Sequence, residues 1–259
     1  MTEPSLAIVH ANLDAEAVWA GVQLPRAVLE RISVMGTLCA ALVDGACEVW
    51  TPLPVDPARL LRLRPALRHG APARADLAWA RPSARPFNDR RWLRDGITTT
   101  SALDAFPEPW IAKAPLTAAG RDRVRSPLTS ETRVYAERLI AKHGALVVEP
   151  YFDRLDDLGI CGFVDDDRIA LQPAHRIVVD PRGGFVGIDF DAPELYDARP
   201  LAARLQAEGY RGPFSIDLVR HAGGIHVCEV NARYTFGWIA HALRRRFGIE
   251  RFRFEDWIR

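Results

Sequence analysis

Residues 214–237, FSIDLVRHAGGIHVCEVNARYTFG, constrain this chain more than any other stretch. Phe214, Ile216 and Leu218 alternate with Ser215 and Asp217, and an Ala222-Gly223-Gly224 turn follows. Beyond it, Ile225, Val227, Glu229 and Asn231 share one parity. Alternation around a glycine turn predicts a β-hairpin. Successive strand side chains point to opposite faces, so Glu229 and Asn231 are expected on one side. Pairing about Gly223 brings Asp217 roughly opposite Glu229. Carboxylates that close repel, and burying them is costly unless positive charge lies between them. A hard divalent cation, Mg²⁺ above all, meets that requirement, and Mg²⁺ on few protein oxygens commonly also holds phosphates. A solvated acidic face is the bland alternative, so the rest of the chain must decide.

A chain of 259 residues can bury a sizeable core in one large domain or two small ones. Its 48% hydrophobic and 26% charged residues are ordinary for a globular protein, and a net charge of +1 gives no argument for nucleic acid or membrane. Cys39, Cys47, Cys161 and Cys228 lack metal spacing and read as reduced, buried thiols of a cytoplasmic protein. The N-terminus has no basic start and no long apolar run, so no signal peptide is expected. No window is apolar enough to span a membrane.

In chain order, residues 6–10 read as a strand, 24–43 as a helix with Pro25 in its first turn, and 46–53 as a second strand. Trp19 and Trp50 read as core residues. From 54 to 96, six prolines punctuate an arginine-rich run, read as a boundary region with a strand near 77–80 and a solvated face of arginines (Arg62, Arg64, Arg68, Arg74, Arg81, Arg85). Residues 129–143 form an amphipathic helix that Thr129 or Ser130 can cap, and 196–210 and 238–250 two more. Residues 145–167 read as two strands around a connection, and 168–190 as two more, with His175 and Arg176 between them.

The chain holds 32 arginines and only two lysines, Lys113 and Lys142. Lys113 closes the apolar run Trp110-Ile111-Ala112 and precedes the small-residue stretch around Ala119 and Gly120. A lysine at a strand end before such a loop suits phosphate: a compact mobile charge, and backbone N–H groups that no side chain screens. Snorkelling from an edge strand beside an ordinary turn is the alternative.

Lys113 with its loop, Glu149 ending a strand, and Asp217 followed by Glu229-Val-Asn231-Ala-Arg233 occur in an order that resembles the ATP-grasp superfamily. The resemblance covers roughly the last 155 residues and places the ATP-grasp domain at 96–259. It implies an α+β ATP-grasp fold of two α+β subdomains, preceded by a small α/β domain over 1–95. It implies ATP and Mg²⁺, for which Mn²⁺ can stand in, as cofactors. Lys113 would contact the phosphates, and Ala119 and Gly120 would lie in the flap over them. Glu149, Pro150 and Tyr151 would form the adenine hinge, and Asp156 or Asp157 would bind the ribose. Asp217, Glu229 and Asn231 would hold the metal, and Arg233 the γ-phosphate or an acyl phosphate. His175, Arg176 and Tyr234 are candidates for the acceptor substrate.

The implied activity is a ligase that activates a carboxylate as an acyl phosphate for attack by an amine or similar nucleophile. Its partners are small molecules, and a homodimer is allowed. Two departures stand out. Arginines such as Arg90 and Arg91 occupy the region where the family usually has a further lysine, and Ser215 stands where many members have arginine. These favour the alternative of a non-catalytic nucleotide-binding protein acting as a regulatory or partner subunit. A third reading is an arginine-rich anion-binding module.

Overall fold

The structure, a computed structural model, describes residues 6–93, 103–117, 122–181 and 183–259. Its first sheet is parallel, with strands β1 (Ala7–His10), β2 (Cys47–Thr51), β3 (Ala66–His69) and β4 (Leu77–Ala78) in the order β3-β2-β1-β4. Helices α1 (Ala15–Trp19) and α2 (Arg26–Gly36) follow β1. The helix expected over 24–43 divides: Pro25 stands before its first residue, and Thr37–Leu42 form a 3₁₀ turn. The Thr37 hydroxyl donates to the Val34 carbonyl at 2.6 Å, competing with the backbone ladder where the helix tightens.

Strand β3 lies inside the region expected to be irregular, because Ala-Leu-Arg-His carries no apolar alternation and becomes a strand only by pairing with β2. The arginines expected on a solvated face are partly committed too. Arg64 donates to the Leu60, Leu61 and Leu63 carbonyls, Arg68 pairs with Glu48 at 3.2 Å, and Arg62 lies over Trp257. Helix α3 (Arg90–Leu93) ends the segment.

The second sheet, in the order β6-β5-β7, holds β5 (Trp110–Lys113), β6 (Arg123–Arg125) and β7 (Val147–Pro150). Helix α4 (Ser130–His143) packs on it through Ala136 and Leu139, meeting Trp110, Ala112 and Val148. Thr129 caps α4 by accepting from Thr132 N–H at 3.2 Å. Lys113 thus ends a central strand, not an edge strand.

The third sheet has seven strands: β8 (Asp156–Val164), β9 (Ile169–Leu171), β10 (His175–Val179), β11 (Phe185–Asp189), β12 (Gly212–His221), β13 (Gly224–Asn231) and β14 (Arg251–Arg253). Their order is β13-β12-β8-β10-β11-β14, with β9 paired to β8. Three strands therefore occupy 169–189 where two were expected, and His175 and Arg176 open the middle one. Helix α5 (Arg199–Ala207) covers one face, where Leu158, Phe214, Ile216 and Leu218 bury against Ala202 and Leu205. Each large apolar side chain removed from water there contributes roughly 1.5–3 kcal/mol. Helix α6 (Phe236–Phe247) packs Ile239, Ala240 and Leu243 into a core shared with Val9, Leu38 and Val49 of the first sheet's layer. Among the described residues, no helix is long and apolar enough to cross a membrane.

Candidate active site

The hairpin forms with Asp217 directly opposite Glu229, as expected, and Ser215 opposite Asn231, while from Leu218 to the turn the pairing is one residue off a centre at Gly223. One expectation changes. The ladder shifts between Asp217 and Leu218, so Cys228 is an extra residue, half-buried rather than buried. A bulge reverses facing along a strand. Val227 therefore pairs with Leu218 on the α5 face, while His226, Glu229 and Asn231 share the opposite face with Asp217. Parity alone would have put His226 on the wrong side.

A network of hydrogen bonds and ion pairs holds this face. Asn231 Nδ2 donates to Asp217 Oδ2 at 3.1 Å, and its Oδ1 accepts from Arg233 Nη2 at 2.9 Å. Arg233 Nε donates to Glu16 Oε1 at 2.8 Å, so α1 supplies a buried carboxylate that orients the arginine. Burial, and then the charge of Glu229, push the Asp217 carboxyl up to about 7. Burial in a low-dielectric setting beside a second carboxylate favours the neutral acid.

Glu229 meets Arg90, which the sequence marked only as a departure and gave no partner. Arg90 Nη2 donates to Glu229 Oε1 at 2.8 Å, and Arg90 is only 6% exposed. Its Nη1 donates to the Ala114 carbonyl at 2.8 Å and to Thr117 Oγ1 at 3.1 Å, and its backbone N–H to the Pro115 carbonyl. One guanidinium thus ties β13 to the segment that follows Lys113. The fork of donors explains arginine there. The available signal was the arginine standing where a lysine was expected. Among the described residues, Arg90 Nε and Ser215 Oγ are buried without a hydrogen-bond partner, and both lie beside this acidic pair.

At the other end of the hairpin, Lys113 Nζ is ion-paired with the buried Glu149. Glu149 also takes His226 Nε2 at 3.3 Å, so it joins the second sheet to the third. Phe152 stacks on His221 with centroids 3.9 Å apart. The Tyr151 N–H donates to the Pro109 carbonyl, which leaves the expected hinge with the carbonyls of Pro150 and Tyr151. Ala119 and Gly120 lie outside the described residues.

Strand alternation separates the two acids that were alternatives for the ribose. Asp157 lies on the Asp217 face, with its carboxyl raised by burial and partly offset by Arg154. Asp156 lies on the other face, ion-paired with Arg176 and Arg220. Arg176 belongs to that opposite face too, away from the carboxylate cluster. His175 is on the Asp217 face but 3% exposed, its Nδ1 3.3 Å from His241 Nε2 under the start of α6. Burial and the facing imidazole hold His175 neutral, down to about 3, so it packs and does not reach a solvent-borne substrate. Tyr234 lines a cavity beyond Arg233.

The donor set suits a hard cation. Among the described residues there is no group of three or more His, Cys, Asp or Glu in metal-binding array. Two carboxylates and an amide do converge, oxygen donors of the kind a hard divalent cation takes.

A helix-covered antiparallel sheet facing a small second sheet, with acids on the inner face and a lysine across from them, is the ATP-grasp fold. No protein-family model and no curated protein matches the chain. Among solved structures, phosphoribosylamine–glycine ligase from Thermotoga maritima is similar at TM-score 0.57 and 14% identity, over 94% of this chain and 73% of that one. An N5-carboxyaminoimidazole ribonucleotide synthetase in its ADP complex is similar at TM-score 0.51 and 13% identity, over 91% of this chain and 73% of that one. Against N5-carboxyaminoimidazole synthetase from Staphylococcus aureus with ADP, the TM-score is 0.48 at 13% identity, and the chain spans about half that protein (49%). At such identities the likeness establishes the fold and leaves the reaction to the residues.

Proposed function

We propose that this protein is an ATP- and Mg²⁺-dependent ligase that activates a carboxylate as an acyl phosphate for attack by an amine or similar nucleophile. We assign 1–95 to an N-terminal α/β domain and 96–259 to the ATP-grasp domain. The observation that carries the reading is Asp217 opposite Glu229, with Asn231 and Arg233 on the same face. Asp217, Glu229 and Asn231 would hold Mg²⁺, which when bound neutralises phosphate charge and orients the transferring group. Arg233, fixed by Glu16 and Asn231, offers a preorganised charge to the oxyanion that develops in phosphoryl transfer. Lys113, steadied by Glu149, supplies the compact ammonium for the nucleotide phosphates, and Asp157 is the better placed acid for a ribose. The segment that Arg90 fastens beside Glu229 would keep water from the acyl phosphate.

One observation favours the second reading, a nucleotide-binding subunit without turnover. Arg90 occupies Glu229 with an internal cation, where a catalytic metal needs that carboxylate. The two are separated by incubating the protein with ATP, Mg²⁺ and pools of carboxylic acids and amines, following ADP and phosphate. Release that requires both an acid and an amine supports the ligase. A melting temperature raised by ATP–Mg²⁺ or ADP without any release supports the subunit. No shift with either nucleotide at millimolar concentration removes both.

A further inference from the structure

Beyond the carboxylate cluster, where β12 begins and β13 ends, lies a cavity of about 200 Å³. Its walls come from four separate stretches: Trp79 and Arg81, the end of β8 at Phe163, Tyr210 with Arg211, and Arg233 with Tyr234. The lining charges are not equivalent. Arg211 is committed to Asp166 at 2.7 Å and to the Gln206 and Tyr210 carbonyls. Arg233 is held by Glu16 and lies 5.6 Å from the Trp79 ring. Of the two lining carboxylates, Asp76 accepts from the Ile8 N–H and Asp165 from the Asp166 N–H. Among the described residues, the Arg81 side chain alone of the three guanidinium groups makes no hydrogen bond or ion pair. It lines the cavity together with Tyr210 and Tyr234. The Tyr210 hydroxyl already donates to the Pro213 carbonyl, whereas among the described residues that of Tyr234 makes no hydrogen bond.

An unengaged planar fork at the mouth of a pocket walled by Trp79, Phe163, Tyr210 and Tyr234 selects an oxyanion carried on an apolar, flat body. The small volume excludes a nucleotide. Arg233 belongs both to this cavity and, through Asn231 at 2.9 Å, to the acidic cluster. We propose that the cavity is the acid-substrate subsite: it binds a small aromatic or apolar monocarboxylate, with Arg81 on the carboxylate and the Tyr234 hydroxyl as second donor. The assignment rests on the ligase reading. It makes Arg81 a binding residue and directs the acid toward Arg233, where phosphoryl transfer would reach it.

Benzoate, titrated calorimetrically into the full chain, is the probe, with inorganic phosphate in a parallel titration and the ATP–Mg²⁺ melting shift measured on the same preparations. Saturable benzoate binding is expected, weakened at least tenfold in Arg81→Gln and only partly restored in Arg81→Lys, which keeps charge but not the fork. Phosphate should bind at least tenfold more weakly than benzoate. Arg81 is exposed, so both variants should fold and keep the wild-type ATP–Mg²⁺ shift. Equal benzoate affinity in wild type and Arg81→Gln, or no benzoate binding, overturns the proposal. Tighter phosphate than benzoate overturns the carboxylate assignment in favour of a phosphoryl ligand. Benzoate binding with no ATP–Mg²⁺ shift in the wild type overturns the role as a ligase subsite and locates the failure in the ligase reading.

Discussion

Removing the Arg90 guanidinium tests how the two sheets are joined. Arg90→Met keeps much of the side-chain volume and deletes the charge. It leaves Glu229 Oε1, the Ala114 carbonyl and Thr117 Oγ1 without the donors they now have. Breaking a buried ion pair from one side costs about 3–5 kcal/mol. The Glu229 side chain is 24% exposed, so water recovers part of that, and about 2–3 kcal/mol is expected. Urea unfolding should show it as a lower midpoint at unchanged slope. The double variant Arg90→Met/Glu229→Gln should be less destabilised than the two singles added together, with a coupling of roughly 1–3 kcal/mol. Mn²⁺ binding, followed by electron paramagnetic resonance, should tighten in Arg90→Met, because the carboxylate no longer shares its charge with an internal cation. Coupling below about 0.5 kcal/mol with unchanged Mn²⁺ affinity would refute the reasoning.

The buried imidazoles set an acid limit. His175 is held down to about 3 and His241 to about 4, both first by burial, so the unfolded chain takes up protons below about 6.5 that the folded chain refuses. Stability is then lost as pH falls from about 6.5 toward 4, at about 1.4 kcal/mol per unit for each ring. Asp217, pushed up to about 7, acts oppositely from about 4 to 7, so His241→Gln is the control: its acid limb should be shallower than wild type's, and an equal slope refutes the assignment. Gly159→Ala places a Cβ into the His175 ring, which His241 holds, and should cost about 1–3 kcal/mol in a chemical melt. Lys113→Ala should fold yet lose on the order of 10²-fold in nucleotide-dependent turnover, with little recovery in Lys113→Arg. Circular dichroism should show Glu229→Ala folded, with Mg²⁺-dependent turnover abolished.

Local pattern carried much of this fold. The glycine turn and the alternation around it specified the hairpin and the pairing of Asp217 with Glu229, because side-chain period and turn geometry are local properties, but not the bulge that shifts the ladder by one residue between Leu218 and the turn. The cap at Thr129 and the periodicity after it specified α4 for the same reason. Strand β3 escaped because nothing in Ala-Leu-Arg-His distinguishes it until β2 lies beside it. The 3₁₀ turn at Thr37 escaped because it depends on where a hydroxyl points.

The site divides along the same line. Sequence by itself supplied the candidate residues and their order: Lys113, Glu149, Asp217, Glu229, Asn231 and Arg233. Only the tertiary structure decided which of them meet and what else joins them. A one-residue bulge brought His226 onto the Glu229 face, and alternation sent Asp156 and Arg176 to the other. Arg90 reached Glu229 across 139 positions and Glu16 reached Arg233 across 217, distances at which no periodicity survives. The charge that balances a buried carboxylate comes from whichever segment the packing brings within hydrogen-bond reach, and packing is a property of the whole chain.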